Sequence, residues 1–191
     1  VRLQHEADRC RIVPSSTNAG GGNVIGVDGH TATAELRPPP STSPMTLTDT
    51  IQKLFGKLAV LREKHPELTG FAGAYHNSRD YGQCPVGGHV HIGKTPTLPE
   101  RALWSALLVP ISWQHCKPAD LVKRRDAGYG APLLCENKNY GIELKALPSF
   151  LGNKQDTLAV FALTKAIFMN PDAIAINADI AQALTEATFN A

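Results

Sequence analysis

The chain has 191 residues, a length that fits one domain with a sizeable core. A formal charge of +2 is too small to favour nucleic acid or a lipid surface as a partner. No apolar run approaches the roughly 18 residues of a membrane span, and no signal peptide is recognisable. We therefore expect a single cytoplasmic domain over residues 1–191, with its four cysteines as free thiols.

The first half of the chain predicts two elements before a long loop. Residues 31–37 read as a strand that three prolines end abruptly. Apolar residues at helical spacing then predict a helix with Thr48 as its cap and Pro66 at its end. A strand over 71–75 and a polar, glycine-rich loop over 76–87 follow.

The second half predicts a strand around His89 and a helix that begins near Pro99. Basic residues then run into a glycine turn over 123–130, followed by a strand over 140–147. Two helices, near 155–168 and 172–188, end the chain. Strands mixed with single helices in this way indicate an α+β fold, a mainly antiparallel sheet with helices packed on one face.

Three of these strands share one pattern, in which two charged or imidazole side chains lie two residues apart. The pairs are Glu35 and Arg37, His89 and His91, and Glu143 and Lys145. Because residues i and i+2 of a strand point to the same face, each strand has one reactive face and one apolar face. Side by side, the three strands would make a sheet that carries an active site, and we expect the His89 and Glu143 strands to be neighbours or near neighbours in it.

This mixture of charges suits phosphate chemistry. Carboxylates and imidazoles bind divalent cations, while guanidinium and ammonium groups neutralise phosphate oxygens. Two other interpretations stay open. Each charged pair taken alone is also typical of a solvated strand face, and His89 with His91 suggests a zinc hydrolase, although no third ligand lies at short spacing.

Four motifs occur in an order that resembles a known family. They are Gly26-Val-Asp-Gly29 with Glu35-Leu-Arg-Pro38, Gly87-Gly-His-Val-His-Ile-Gly93, Arg124-Arg125 with Tyr129-Gly130, and Tyr140-Gly-Ile-Glu-Leu-Lys-Ala-Leu-Pro-Ser149. The chain resembles phage and bacterial amidoligases of the COOH–NH2 ligase type, relatives of glutamine synthetase and glutamate–cysteine ligase. The resemblance implies a curved antiparallel sheet and an ATP-dependent ligase that makes an amide through an acyl phosphate, with Mg²⁺ bridging the phosphates.

The resemblance also implies roles for individual residues. The metal ligands would be Glu35, His89 and Glu143. His91 would face the nucleotide or substrate, and the groups that contact phosphates would be Arg37, Arg124, Arg125 and Lys145. Gly130 and Tyr140 would shape the turn beside the site. The substrates would be a small-molecule or peptide carboxylate and an amine, and the sequence gives no cue to the oligomeric state.

Two departures from the family pattern bear on activity. Relatives carry further acidic ligands on a first strand, and the early acids Glu6 and Asp8 lack the apolar flanks of such a strand. The chain begins with Val1, so we expect either that this strand precedes it or that the metal site is depleted. Lys145 stands where relatives commonly carry arginine, which changes the geometry toward phosphate. A catalytically decayed ligase fold with a structural or binding role is therefore the alternative.

Overall fold

The computed structural model describes residues 12–14, 24–27, 34–66, 70–78, 82–114 and 116–169. The chain divides into two compact units, Val1–Gly70 and Phe71–Ala191. Each unit combines helix and strand, and the pairings of the described strands are mainly antiparallel, so the fold is α+β. The early acids Glu6 and Asp8 and the predicted helix over 172–188 lie outside the described residues.

The first unit contains a three-stranded sheet and one long helix. Its strands are β1 (Ile12–Pro14), β2 (Val24–Val27) and β3 (Ala34–Arg37). β1 runs parallel to β2, and β2 runs antiparallel to β3, with Gly26 opposite Glu35. Helix α1 (Pro44–Lys64) follows the proline run that ends β3.

The second unit has two small sheets. Strands β4 (Tyr75–Ser78) and β5 (Gly82–Pro85) form an antiparallel hairpin. Strand β6 (Val90–Ile92) pairs with β8 (Gly141–Leu144), and β8 pairs with β7 (Cys135–Lys138), both antiparallel. This confirms that the His89 and Glu143 strands are neighbours.

Three helices complete the second unit: α2 (Leu98–Trp113), α3 (Pro118–Asp126) and α4 (Lys154–Met169). α2 begins with a reciprocal cap, in which Thr97 and Glu100 each bond the other's main chain. The apolar face of the β6-β8-β7 sheet belongs to the buried core, together with side chains of α2 and α4. The members from the sheet are Val90, Ile142 and Leu144, and those from the helices include Trp104, Leu108, Val160 and Ile167. The sheet's other face is therefore left for the charged side chains.

Local structure corrects three predictions. Thr48 is not the cap of α1: its hydroxyl donates to the carbonyl of Pro44 inside the helix, and Ser43 Oγ accepts from the Thr46 amide instead. The strand predicted over 71–75 begins only at Tyr75. The segment 76–87 is not one loop, because β4 and β5 pair there through main-chain hydrogen bonds that need no apolar pattern.

Two further findings bear on the sequence predictions. Cys84, Cys116 and Cys135 are free thiols, as expected, and Cys10 lies outside the described residues. In the part of the chain that the structure describes, no helix combines the length and apolar character needed to cross a membrane.

Candidate active site

The exposed face of the β6-β8-β7 sheet carries three polar side chains in one row. His91 of β6 and Glu136 of β7 lie directly opposite Glu143, which stands between them on the central strand β8. Directly opposed residues of antiparallel strands point to the same face. The apolar partners on either side, Val90 with Leu144 and Ile92 with Ile142, point into the core or toward it. The two-faced sheet predicted from the i, i+2 pattern is confirmed.

Glu143 is the centre of this row and is almost buried, with its side chain 9% exposed. Its Oε1 lies 2.7 Å from His89 Nδ1, and its Oε2 lies 2.8 Å from Lys138 Nζ. Burial alone would raise the pKa of Glu143, but the hydrogen bonds from His89 and Lys138 outweigh it and lower the pKa to about 2. Glu143 is therefore an ionised carboxylate at neutral pH.

A second carboxylate, Glu136, shares its lysine partners with Glu143. Lys138 Nζ lies 2.6 Å from Glu136 Oε1, and Lys145 Nζ donates to Glu136 Oε2. Lys145 Nζ also lies 3.7 Å from Glu143 Oε2. Hydrogen bonds to Glu136 and then to Glu143 raise the pKa of Lys138, and bonds from the two lysines lower the pKa of Glu136. Two carboxylates and two ammonium groups thus alternate across the sheet.

His91 completes the row at its other end. Its Nδ1 is hydrogen-bonded to the Tyr140 hydroxyl, and its Nε2 lies 4.0 Å from Glu143 Oε1. Burial, followed by the negative charge of Glu143, raises the pKa of Tyr140, so its hydroxyl stays protonated at neutral pH. Tyr140 thus orients the imidazole, in addition to its place in the two-residue turn between β7 and β8.

Arg124, which is predicted to contact phosphate, bonds main-chain carbonyls in the structure. It lies in α3, where its guanidinium is buried and donates to the main-chain carbonyls of Val86, Lys145 and Leu147. Arg125 next to it is exposed, with Nε 3.8 Å from Asp126 Oδ1. Because consecutive residues of a helix point in different directions, Arg124 is buried and Arg125 is exposed. A phosphate role remains a prediction for both residues.

Glu35 and Arg37 lie in the first unit, on the same face of β3, which belongs to the β1-β2-β3 sheet. The prediction that this strand shares one sheet with the His89 and Glu143 strands is therefore wrong. Arg37 Nε and Nη2 each lie 2.6 Å from Glu35 Oε2. The carboxylate and the guanidinium therefore form an ion pair, as expected for the alternative interpretation of this segment as a solvated strand face. Their roles in metal and phosphate binding stay predictions.

The grouping of His, Cys, Asp and Glu side chains determines which metal ion the site could bind. Among the described residues, no three or more His, Cys, Asp or Glu side chains are grouped to hold one. A catalytic zinc ion needs three protein ligands, so the described residues do not fit the zinc hydrolase. Mg²⁺ instead commonly takes one or two carboxylates together with phosphate oxygens and waters. Glu136 and Glu143 fit that smaller requirement.

The sequence interpretation missed two site residues, Glu136 and Lys138. They repeat the i, i+2 pattern of Glu143 and Lys145, so the signal was present in Cys135-Glu-Asn-Lys138. That segment has no apolar alternation, and it becomes a strand by pairing with β8 across a two-residue turn.

The family model described as phage phiEco32-like COOH.NH2 ligase-type 2 matches residues 6–191, nearly the whole chain. The chain belongs to this family. The resemblance drawn from the four motifs is confirmed, and the family is one of ligases that join carboxyl and amine groups. No curated protein and no solved structure matches the chain.

Proposed function

We propose that this ligase uses ATP to convert a carboxylate into an acyl phosphate, which an amine then attacks to form an amide. The observation that carries the proposal is the alternation of two carboxylates and two ammonium groups on one sheet face. Phosphoryl transfer depends chiefly on positioning and on neutralising phosphate charge, and this face offers groups for both.

The charge pairing of the site suits a nucleotide that arrives with its metal ion. Lys138 and Lys145 are held by carboxylates in the described structure. When Mg²⁺-ATP binds, the lysines would exchange these carboxylates for phosphate oxygens, and Glu136 and Glu143 would exchange the lysines for the cation. Every charge keeps an opposite partner, which avoids the large cost of leaving a buried charge unpaired.

The chemical steps balance without any other reactant. A substrate carboxylate oxygen attacks the γ-phosphorus, and ADP leaves with the electrons of the broken P–O bond. The amine nitrogen then attacks the acyl carbon, phosphate leaves, and the nitrogen loses a proton. Mg²⁺, held by Glu143 and the phosphates, would supply charge neutralisation. His91, beside Glu143 and oriented by Tyr140, would contact the nucleotide or the substrate.

The wider features of the proposal follow from the family. The β6-β8-β7 sheet would be part of a curved sheet like that of glutamine synthetase. Glu35 and His89 would bind metal, and Arg37 would contact phosphate. The substrates would be small-molecule or peptide carboxylates and amines. Dependence on ATP would place the reaction in the cytoplasm.

A labelled-oxygen experiment tests the acyl phosphate directly. The protein is incubated with Mg²⁺-ATP, hydroxylamine as a general amine, and a panel of amino acids labelled with ¹⁸O in their carboxylates. We expect a hydroxamate product and one ¹⁸O atom in the released phosphate, because the attacking oxygen stays on phosphorus. Glu143→Gln should lose both products, while the exposed control Glu63→Gln should keep them. Hydroxamate accompanied by unlabelled phosphate would contradict the mechanism.

A second candidate function is a binding or structural role for a ligase fold that has lost its chemistry. It is favoured by the lack, among the described residues, of a group of three or more side chains suited to a metal ion. Calorimetry with Mg²⁺-ATP separates the two candidates. The ligase should bind nucleotide only when the metal is present, and the structural protein should bind neither component.

A further inference from the structure

Arg124 joins two segments of chain that carry site residues. Its side chain is 1% exposed. Nη1 donates to the carbonyl of Val86 at 2.8 Å, and Nη2 donates to the carbonyls of Lys145 at 3.1 Å and Leu147 at 2.9 Å. One guanidinium therefore ties helix α3 to the chain before β6 and to the chain after β8.

The two tied segments are those that present His89 and Lys145 to Glu143. Val86 lies three residues before His89, and the carbonyl of Lys145 belongs to the site residue itself. The Gly88 amide donates to the carbonyl of Leu147 at 3.2 Å, so the segments also bond each other beside the guanidinium. A Cβ at Gly87 would lie 2.8 Å from Arg124 Nη2, which shows how closely the main chain approaches it.

Tyr129 provides a further connection between Arg124 and His89. The Arg124 guanidinium carbon lies 5.4 Å from the centre of the Tyr129 ring, within the range of a cation–π contact. The same ring stacks on the His89 imidazole, with centroids 6.2 Å apart and planes 11° apart. Tyr129 therefore limits the rotation of the imidazole that bonds Glu143.

We infer that Arg124 is a positioning residue, which holds His89 and Lys145 in place against Glu143, and that it is not a phosphate ligand. Both of its terminal nitrogens already donate to main-chain carbonyls, and the guanidinium is shielded from solvent. Burial lowers the pKa of Arg124 to about 10, so the group stays charged at neutral pH and its bonds to the carbonyls are charge-assisted. The consequence for catalysis rests on the proposed ligase function.

The proton between His89 and Glu143 can be observed without any substrate, and its signal shows whether His89 keeps its position. His89 Nδ1 lies 2.7 Å from Glu143 Oε1, and a carboxylate oxygen accepts, so the proton of this hydrogen bond lies on His89 Nδ1. That N–H should give a protected proton signal in the NMR spectrum of protein labelled with ¹⁵N in its histidines. His89→Ala assigns the signal by removing it.

The test follows this signal and the dissociation constant of Mg²⁺-ATP in Arg124→Lys. Lysine keeps the charge but cannot reach three carbonyls with a planar fork. We expect the His89 N–H signal to be lost and ATP affinity to fall at least tenfold. Arg62→Lys, the same change at an exposed position of α1, should alter neither.

A phosphate ligand would behave differently. An intact His89 signal in folded Arg124→Lys, together with weaker ATP binding, would overturn the inference in favour of direct phosphate contact. If the parent protein binds no ATP, the proposed function fails, but loss of the signal would still support the positioning role.

If Arg124→Lys does not fold, a second variant still tests the inference. Tyr129→Leu removes the ring between Arg124 and His89 and leaves the three carbonyl bonds in place. We expect it to broaden or remove the His89 signal, while Tyr129→Phe, which keeps the ring, should retain it. An unchanged signal in Tyr129→Leu would show that the ring does not transmit the position of Arg124, and would count against the inference.

Discussion

His89 Nδ1 lies 2.7 Å from Glu143 Oε1, although the two residues come from distant parts of the sequence. The contact forms because β6 and β8 are antiparallel neighbours and because their apolar side chains fix the register against the core. A slip of one residue would turn the Glu143 side chain, the one charged group of β8, toward that core. The same hydrophobic packing that stabilises the sheet therefore aligns the candidate site.

The ion pairs of Glu143 predict a specific loss of stability in acid. Its folded-state pKa of about 2 lies below the ordinary 4.5, so the stabilisation is complete above pH 4.5 and is lost as the pH falls through about 2. The loss amounts to at most about 3 kcal/mol. Urea denaturation of the parent and of Glu143→Gln between pH 6 and pH 3 measures the part of this loss that occurs above pH 3.

Glutamine does not titrate, so the stability of Glu143→Gln should fall less steeply with decreasing pH than that of the parent. The control Glu63→Gln, at an exposed position of α1, should follow the parent's slope. Equal slopes in Glu143→Gln and the parent would contradict the ion pairs assigned to Glu143.

The two faces of β8 predict two kinds of defect. Leu144→Ala should cost about 2–5 kcal/mol of stability, because the side chain is buried in the core, and should leave the dissociation constant of Mg²⁺-ATP nearly unchanged. Glu143→Ala and His89→Ala should abolish magnesium-dependent nucleotide binding. Thermal unfolding and calorimetry at a temperature where all variants are folded separate the effects. If His89→Ala binds nucleotide as tightly as the parent, the site assignment fails.

Much of this site could be predicted from sequence, because alternation of charged and apolar residues determines which face of a strand is buried. Glu143 lies in β8 and Lys145 directly follows that strand, while His91 lies in β6 and His89 directly precedes it, as that pattern indicates. In β7 the charged i, i+2 pair is also present, but Cys135-Glu-Asn-Lys138 lacks apolar alternation and has little intrinsic strand preference. The segment becomes a strand by pairing with β8 across a two-residue turn, which the alternation pattern does not predict.

Arg124 shows a different limit of sequence interpretation. Arginine is rarely buried, so a run of basic residues predicts an exposed surface or a contact with phosphate. In this chain, three main-chain carbonyls from distant segments meet the guanidinium, and that meeting exists only in the folded structure. Exposed Arg125, the next residue, follows the ordinary expectation.

The Tyr140 hydroxyl predicts an effect on binding with little effect on folding. Tyr140 is 48% exposed, and Tyr140→Phe removes only its hydrogen bond to His91. A typical hydrogen bond contributes about 0.5–1.5 kcal/mol, so we expect Mg²⁺-ATP to bind roughly 2- to 10-fold more weakly if His91 contacts the nucleotide. Calorimetry measures the change. In a His91→Ala background the substitution should have no further effect, and an undiminished effect there would show that Tyr140 does not act through His91.

The two tryptophans of α2 differ in burial, so substituting each in turn measures how much the packing of α2 against α4 contributes to stability. Trp104 is fully buried, and its Nε1 donates to Thr164 Oγ1 of α4 at 2.9 Å, whereas Trp113 is 42% exposed. Trp104→Phe leaves a cavity and an unpaired hydroxyl, so we expect a loss of about 1–3 kcal/mol in the free energy of unfolding. Trp113→Phe should change it by less than about 0.5 kcal/mol. Urea denaturation followed by circular dichroism compares the two variants, and equal losses would contradict a helix pair joined through Trp104.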